Sequence, residues 1–355
     1  MRIAILGSVA LPIPPTAQGG SEWIAYYQAK GLSDRGHEVL LIGGVGTKKA
    51  FEGTKVSVFE IGKNSLTVGS KNEEKFDPST MEASRKLRIE IVRLSQAANI
   101  LAEQKDNYDV ILNNMRGEAV FLPIVKSLGK IFVNVMHLNL FPELADVFRE
   151  HKTPLITISN AQRRGFENLN FIATVYNGVD TTKFIFNEIP KDYLLMVGTI
   201  GRHKNQKAAI NVAKKLNMPL ILAGKIRDKD YFEELKKDID GQKIRWIGEI
   251  GFEEKVKLYQ QAKAFIFPIN WEEPFGLVMI EAMACGTPVI AFNHGAIPEI
   301  VVDSLNGFAV ENEEQMADRV MQIDQIKREE CRKVVEEKFT VEKMVEGYEK
   351  ALKSV

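Results

Sequence analysis

The feature that most constrains this chain is an alternation of two hydrophobic periods. Short apolar, β-branched runs punctuate the first 160 residues: RIAILG, HEVLLIGG, KVSVFEI, DVILNN, KIFVNVM and PLITIS. Longer amphipathic stretches, such as SEWIAYYQAKGLSDRG and ASRKLRIEIVRLSQAANILAEQ, separate several of them. An apolar run without polar alternation reads as a strand buried on both faces, and such a strand needs helices above and below it. The alternation therefore predicts an α/β protein built on parallel sheets.

At 355 residues the chain exceeds one ordinary hydrophobic core and fits two domains. The turn-rich stretch NGVDTTKFIFNEIPK reads as the linker. DYLLMVG then repeats the opening of MRIAILG, an apolar strand ending in Gly, and KIRWIG, KAFIFP and TPVIAF continue a second sheet. The expected organisation is a Rossmann-like domain over residues 1–180 and a second over 181–338. A terminal helix over 339–355 is expected to return to the first. Ligands of such sheets sit beyond the carboxyl ends of the strands, so two facing domains imply a cleft.

Charge and cysteine usage exclude several classes. Lys plus Arg and Asp plus Glu both number 47, so no net field points to nucleic acid. The two cysteines, Cys285 and Cys331, suggest neither a disulfide framework nor a zinc site, and a reducing cytoplasm is the expected compartment. MRIAILGSVA reads as a buried strand and not a signal peptide. No apolar stretch approaches the roughly 20 residues of a membrane span. The basic amphipathic stretch ASRKLRIEIVRL leaves peripheral contact with a membrane surface open, against the plainer reading of a solvated face.

Two carboxylates stand out in WEEPFGLVMIEAMACGTPVIAF, residues 271–292. The expected layout is a strand, a loop carrying Glu273, a helix from about Phe275 to Cys285, and a turn at Gly286. Glu273 then precedes a helix N-terminus whose first N–H groups, at Gly276 and Leu277, form an anion site. Glu281 interrupts an apolar run, where a charge is costly without a partner. Its two oxygens suit a diol such as a ribose. Spacing alone does not decide between this and a first-turn Glu that merely favours the helix dipole.

EPFGLVMIEAMACGTPVIAF resembles the signature of the retaining glycosyltransferases of family 4, which have the GT-B architecture of two facing Rossmann domains. The resemblance spans nearly the whole chain, in the family's order. GGSE (Gly19, Gly20) resembles the Gly-rich loop, VMH the strand-end His137, VYNGVD the approach to the linker, VGTIGRHKN the start of the second domain, and HGAIPEIV with NGFAV its closing region. It implies transfer of a sugar from a nucleotide-diphosphate donor to an acceptor hydroxyl, with front-face attack and the leaving phosphate helping to deprotonate the acceptor. It places Glu281 on the donor ribose, Glu273 and His137 by the transferred sugar, and Gly276, Leu277, Phe275, Gly19 and Gly20 among the donor-binding residues. The family often has Arg where Thr199 stands and Lys where Lys204 stands. Lys204 is therefore assigned to the departing diphosphate, with Arg202 or His203 as candidates to stand in for the Arg missing at Thr199, Arg202 being the one taken as donor-binding. No resident cofactor or metal is implied. The donor base, the sugar and the acceptor (a sugar, lipid-linked sugar or small molecule) stay open.

Asp238-Ile239-Asp240 matches the Asp-x-Asp of metal-dependent glycosyltransferases of another fold, but it ends the charged stretch FEELKKDID and reads as a solvated helix end. Ser159 and Gln162 to Arg164, after PLITIS, are candidates to face the cleft from the N-terminal side, the domain to which the resemblance assigns the acceptor. Two rival readings remain: a nucleotide-sugar epimerase of the same architecture and a non-catalytic nucleotide-sugar-binding protein.

Overall fold

The computed structural model describes residues 1–15, 19–63 and 81–355. It divides into two compact units. The first comprises Met1–Ile158, Arg163–Val175 and Val345–Val355, and the second Ser159–Gln162 and Tyr176–Met344.

The first unit runs β1 (Arg2–Leu6), α1 (Gly20–Asp34), β2 (Glu38–Gly44), β3 (Ser57–Ile61), α2 (Met81–Glu103), β4 (Val110–Asn113), α3 (Phe121–Leu128), β5 (Ile131–Met136), α4 (Pro142–His151), β6 (Leu155–Thr157) and β7 (Phe171–Thr174). Its strands form one parallel sheet in the order β3-β2-β1-β4-β5-β6-β7. The central strands are buried on both faces, Ile3 to Leu6 completely, as their unbroken apolar runs require. Leu94, Ala97 and Leu101 of α2 and Phe121 and Val125 of α3 pack on one face with Ala4, Leu6 and Ile111.

The second unit contains β8 (Leu194–Val197), α5 (Gln206–Leu216), β9 (Leu220–Ala223), α6 (Lys229–Lys236), β10 (Ile244–Trp246), α7 (Phe252–Gln261), β11 (Ala264–Phe267), α8 (Leu277–Ala284), β12 (Val289–Phe292), α9 (Ile297–Ile300), β13 (Gly307–Val310), α10 (Glu313–Val320) and α11 (Arg328–Lys338). Its parallel sheet is ordered β10-β9-β8-β11-β12-β13. The last helix, α12 (Val341–Leu352), starts in the second unit and counts with the first from Val345 onward. Both sheets wind outward from their first strand in two directions, and the strand order reverses at β1/β4 and at β8/β11. A crevice opens beyond the carboxyl ends of the strands at each such reversal.

Three strands lie outside the apolar runs singled out from sequence; one of them, GFAV (β13), entered there only through the resemblance. FIAT (β7) is an edge strand whose four residues are only partly buried, so it carries no continuous apolar signal. LILA (β9) follows α5 after three residues, so its apolar positions merge with the helical period before it. Ser159–Gln162 lies in sequence between strands of the first sheet but counts with the second unit. The Glu299 carboxylate there accepts the backbone N–H groups of Asn160 and Ala161 at 2.8 and 2.7 Å and the Tyr176 hydroxyl at 2.9 Å.

Candidate functional site

In the second unit, the segments that leave β8 and β11, the two strands at the reversal, carry Lys204 and Glu273. The Lys204 ammonium donates to Glu273 Oε2 at 3.0 Å, and both side chains are largely buried. The Trp271 indole N–H donates to the same oxygen at 3.0 Å. The ammonium lies 5.0 Å from the Phe267 ring centre and 5.2 Å from that of Trp271, within cation–π range. The arrangement is a preformed cationic donor in an aromatic cradle, held by a carboxylate that has lone pairs to spare.

The backbone around Glu273 is held as firmly as its side chain. Its carbonyl accepts the Ala296 N–H at 2.9 Å, and Glu272 Oε2 accepts the Gly295 N–H at 2.8 Å. A Cβ on Gly295 would lie 2.3 Å from the Glu273 carbonyl oxygen, so the HGAIP and EEPFG segments can approach this closely only with Gly there. Phe275 is buried against Tyr176 and Phe339, with ring centres 6.1 and 5.9 Å away.

The helix after Glu273 is shorter than expected: α8 runs Leu277–Ala284, not from about Phe275 to Cys285. Gly276 has φ 88, a left-handed conformation outside the helix, and Cys285 is the C-cap ahead of Gly286. The first N–H groups of α8 therefore begin at Leu277 and have no acceptor within the helix. At its other end the Arg332 guanidinium donates to the Ala284 carbonyl at 2.7 Å, complementing the dipole of α8.

Glu281 lies on α8, and both its oxygens are engaged. Oε1 accepts from the Lys255 ammonium at 2.8 Å, and Oε2 from the Tyr259 hydroxyl at 3.0 Å. Burial, and then the charge of Glu281, hold the fully buried Tyr259 phenol far above its ordinary range. Lys255 and Tyr259 sit one turn apart on α7, a spacing that sends both to one face. Sequence reasoning missed them. The signal for them is the carboxylate inside LVMI-AMA, which a half-buried helix holds only with a partner cation or donor. Trp271 was missed as well, although it stands two residues before Glu273.

Two other expected residues point elsewhere. Arg202 is exposed, paired with Glu234 and lying 3.7 Å from Asp228, and its guanidinium covers the Tyr231 ring. Its guanidinium is engaged by Glu234 of α6 and faces Asp228, the N-cap of α6, whereas the Lys204 ammonium is engaged by Glu273. Thr199 accepts a Gln206 amide bond through its carbonyl at 3.0 Å. Asp238 bridges Lys207 and Lys214 at 2.5 and 2.6 Å, and Asp240 accepts the N–H groups of Gln242 and Ile244, so each carboxylate has a structural partner. Among the described residues no three His, Cys, Asp or Glu side chains are grouped to hold a metal.

In the first unit, His137 follows β5 and Asn114 follows β4. His137 Nε2 lies 2.8 Å from Asn114 Oδ1, and burial pushes the imidazole down to about 4. Gly19 is the N-cap of α1 and Gly20 its first residue, so the helix starts one residue before the expected Ser21. Glu22, in the first turn of α1, is buried and accepts the hydroxyls of Ser8 at 2.9 Å and Ser21 at 3.1 Å. Ser8, Ser21, Glu22, Asn114 and Arg116 line a small polar crevice beyond β1 and β4. On α2, Leu87, Ile91 and Val92 are exposed beside Arg85 and Arg88. No described helix is long and apolar enough to cross a membrane.

Residues 180–341 match the sequence family described as glycosyl transferases group 1. An uncharacterised glycosyltransferase of Methanocaldococcus jannaschii is 32% identical over 196 residues, which cover 52% of this chain and 54% of the relative. The O-antigen chain mannosyltransferase B of Escherichia coli is 32% identical over 120 residues, 32% of this chain and 31% of that one. The chain spans about half the length, or less, of these curated relatives. Among solved structures, Anabaena HepE in complex with UDP and glucose superposes with a TM-score of 0.73 at 19% identity, covering 99% of each chain. Sucrose-phosphate synthase of Thermosynechococcus elongatus gives 0.75 at 16% identity, covering 99% of this chain and 98% of its own. At such identities the likeness speaks for the fold alone. With two units on wholly parallel sheets, it places the chain in the GT-B class.

Proposed function

We propose that this protein is a retaining, metal-independent glycosyltransferase that moves a hexose from a nucleotide-diphosphate sugar to an acceptor hydroxyl. The observation that carries the reading is the Lys204–Glu273–Trp271 constellation beyond the reversal of the second sheet, beside the first N–H groups of α8. It lies inside the segment matched to glycosyl transferases group 1. That HepE was crystallised with UDP and glucose supports a nucleotide-sugar donor here.

In this reading the donor diphosphate takes the two Lys204 protons that Glu273 does not hold, and the N–H groups at the start of α8. As the glycosidic bond breaks, both electrons go to the bridging phosphate oxygen, and these donors stabilise the charge growing there. The acceptor oxygen bonds to the anomeric carbon on the face the diphosphate leaves, and a phosphate oxygen takes the acceptor proton. Glu281, held by Lys255 and Tyr259, has a second lone pair on each oxygen for the ribose hydroxyls. His137 addresses a hydroxyl of the transferred sugar. Arg202 plays a minor part, being engaged by Glu234.

The test is a panel of nucleotide sugars screened by thermal stabilisation, followed by transfer assays with the donors that bind. A stabilising donor that is turned over only with acceptor, in chelator, with the anomeric configuration kept, is the expected outcome. A donor converted without any acceptor would establish the epimerase instead. Loss of activity in chelator, restored by manganese, would overturn the metal-free mechanism. An anionic membrane surface is a second proposed partner, supported by the apolar and basic residues exposed on α2. Failure to float with anionic vesicles would remove it.

A further inference from the structure

The polar groups beyond β4 and β5 form a chain with a direction. Asn114 Nδ2 donates to Gln28 Oε1 at 2.8 Å, and Gln28 and Asn114 are both buried, 0% and 6% exposed. Gln28 Nε2 and the nearby Tyr348 hydroxyl are both buried and make no hydrogen bond of ordinary geometry, so Gln28 is committed through its oxygen alone. A carboxamide has one oxygen and one NH2 group, and they leave its carbon in different directions. With the NH2 of Asn114 committed to Gln28, its oxygen is the atom that faces His137 Nε2, at 2.8 Å. A carbonyl oxygen can only accept, so Nε2 must carry a proton to make that bond. Burial holds the ring well below its ordinary titration range, so it keeps a single proton at neutral pH. That proton sits on Nε2, which leaves Nδ1 with its lone pair.

We propose that Asn114 and Gln28 are positioning residues that lock His137 in the Nε2–H tautomer, so that Nδ1 is presented to ligand as a hydrogen-bond acceptor for a hydroxyl group. A buried neutral His can serve as donor or acceptor, and which it does is decided by the partner of its other nitrogen. Here the partner is an amide oriented by a second amide. The device selects a ligand group that donates a proton, a sugar hydroxyl, and disfavours one that can only accept. The ligand half of this proposal rests on the sugar-transfer reading, whereas the tautomer half concerns the free protein alone.

The tautomer is read directly from long-range nitrogen–proton correlation spectra of the imidazoles in the full chain, with His137→Gln used for assignment. The expected spectrum shows His137 protonated at Nε2 only, unchanged from about pH 8 to pH 6. A ring protonated at Nδ1, or averaging between both forms, would overturn the lock. Gln28→Met frees the Asn114 amide to turn and should produce that averaging, and a ring unmoved in this variant would exclude Gln28 from the device. Asn114→Asp keeps an oxygen toward Nε2 and should preserve the tautomer even if Asn114→Leu fails to fold. With a working donor and acceptor, Gln28→Met should lower kcat about tenfold, the order expected for one hydrogen bond. Its effect should vanish in a His137→Gln background. Wild-type kcat in a variant whose ring averages would overturn the ligand half. A wild-type protein that turns over no nucleotide sugar would instead sink the sugar-transfer reading, and the spectrum would still decide the tautomer.

Discussion

The two units share one strand order, with β7 added at the edge of the first, but differ in what stands beyond the carboxyl ends of their strands. In the second, acidic and basic side chains stand in pairs: Lys204 with Glu273, Lys255 with Glu281. In the first, apart from the exposed Arg116, they are neutral or met by neutral groups: His137 by Asn114, Asn114 by Gln28, and Glu22 by Ser8 and Ser21. Both solve the same problem, since a half-buried polar group is costly without a partner. The solutions have different uses. Paired charges suit a ligand that brings charge of its own, because an ammonium can be shared between a resident carboxylate and an arriving phosphate. A directional amide chain suits recognition of a neutral hydroxyl, where donor and acceptor must not be exchanged.

The sharpest way to break this contrast is Lys204→Ala. If Lys204 stabilises the leaving diphosphate, turnover should fall by about 2.7–4 kcal/mol of transition-state stabilisation, with donor binding affected less. Steady-state kinetics and calorimetry on the same variant separate the two, and equal losses in both would mean that the lysine only binds.

The neutral side answers to pH. In an unfolded chain His137 titrates near its ordinary value of 6.5, whereas in the folded protein burial delays protonation to about 4. Its contribution is therefore fully present above about pH 6.5 and is lost as pH falls toward 4, because only the unfolded state takes up the proton. The loss amounts to about 3 kcal/mol at most. Urea denaturation at pH 7.5 and pH 4.5 should show a smaller acid loss for His137→Gln than for wild type. Identical acid losses would place His137 in a site that protonates freely.

Glu281→Gln comes next, with nucleoside diphosphate affinity expected to weaken by about 1–3 kcal/mol as a charged acceptor is lost. Calorimetry against UDP, GDP and ADP checks it, and unchanged affinity for whichever binds would refute the ribose assignment. Removing the carboxylate also strands Lys255, so the Lys255→Met, Glu281→Gln double variant should recover stability relative to Glu281→Gln alone.

Arg202→Ala is expected to do least. Its pairs with Glu234 and Asp228 are solvent-exposed, so the stability change should stay within about 1 kcal/mol. A drop in turnover matching that of Lys204→Ala would restore Arg202 as the replacement for the Arg missing at Thr199.

How much of this was legible in the sequence depends on whether a signal is local. The class of fold was legible, because a strand buried on both faces must be apolar along its buried run, and IAIL, VIL and VIAF are. The turn at Gly286 was legible for the same kind of reason, since it answers to one residue's own backbone. Edge strand β7 escaped because half-burial leaves no run to read.

The candidate site divides along the same line. Sequence order alone determined that Glu273 precedes a helix, that Glu281 lies on it, and that His137 follows a strand, since each depends only on a few neighbouring residues. Which side chain meets which was decided by tertiary structure. Lys204 and Glu273 stand 69 residues apart, Lys255 and Glu281 26, Gln28 and Asn114 86. These partners are brought together by the winding of parallel strands from a reversal point, and a crossover has no fixed sequence length. A hydrogen bond requires heavy atoms within about 3 Å, and no spacing along the chain encodes that.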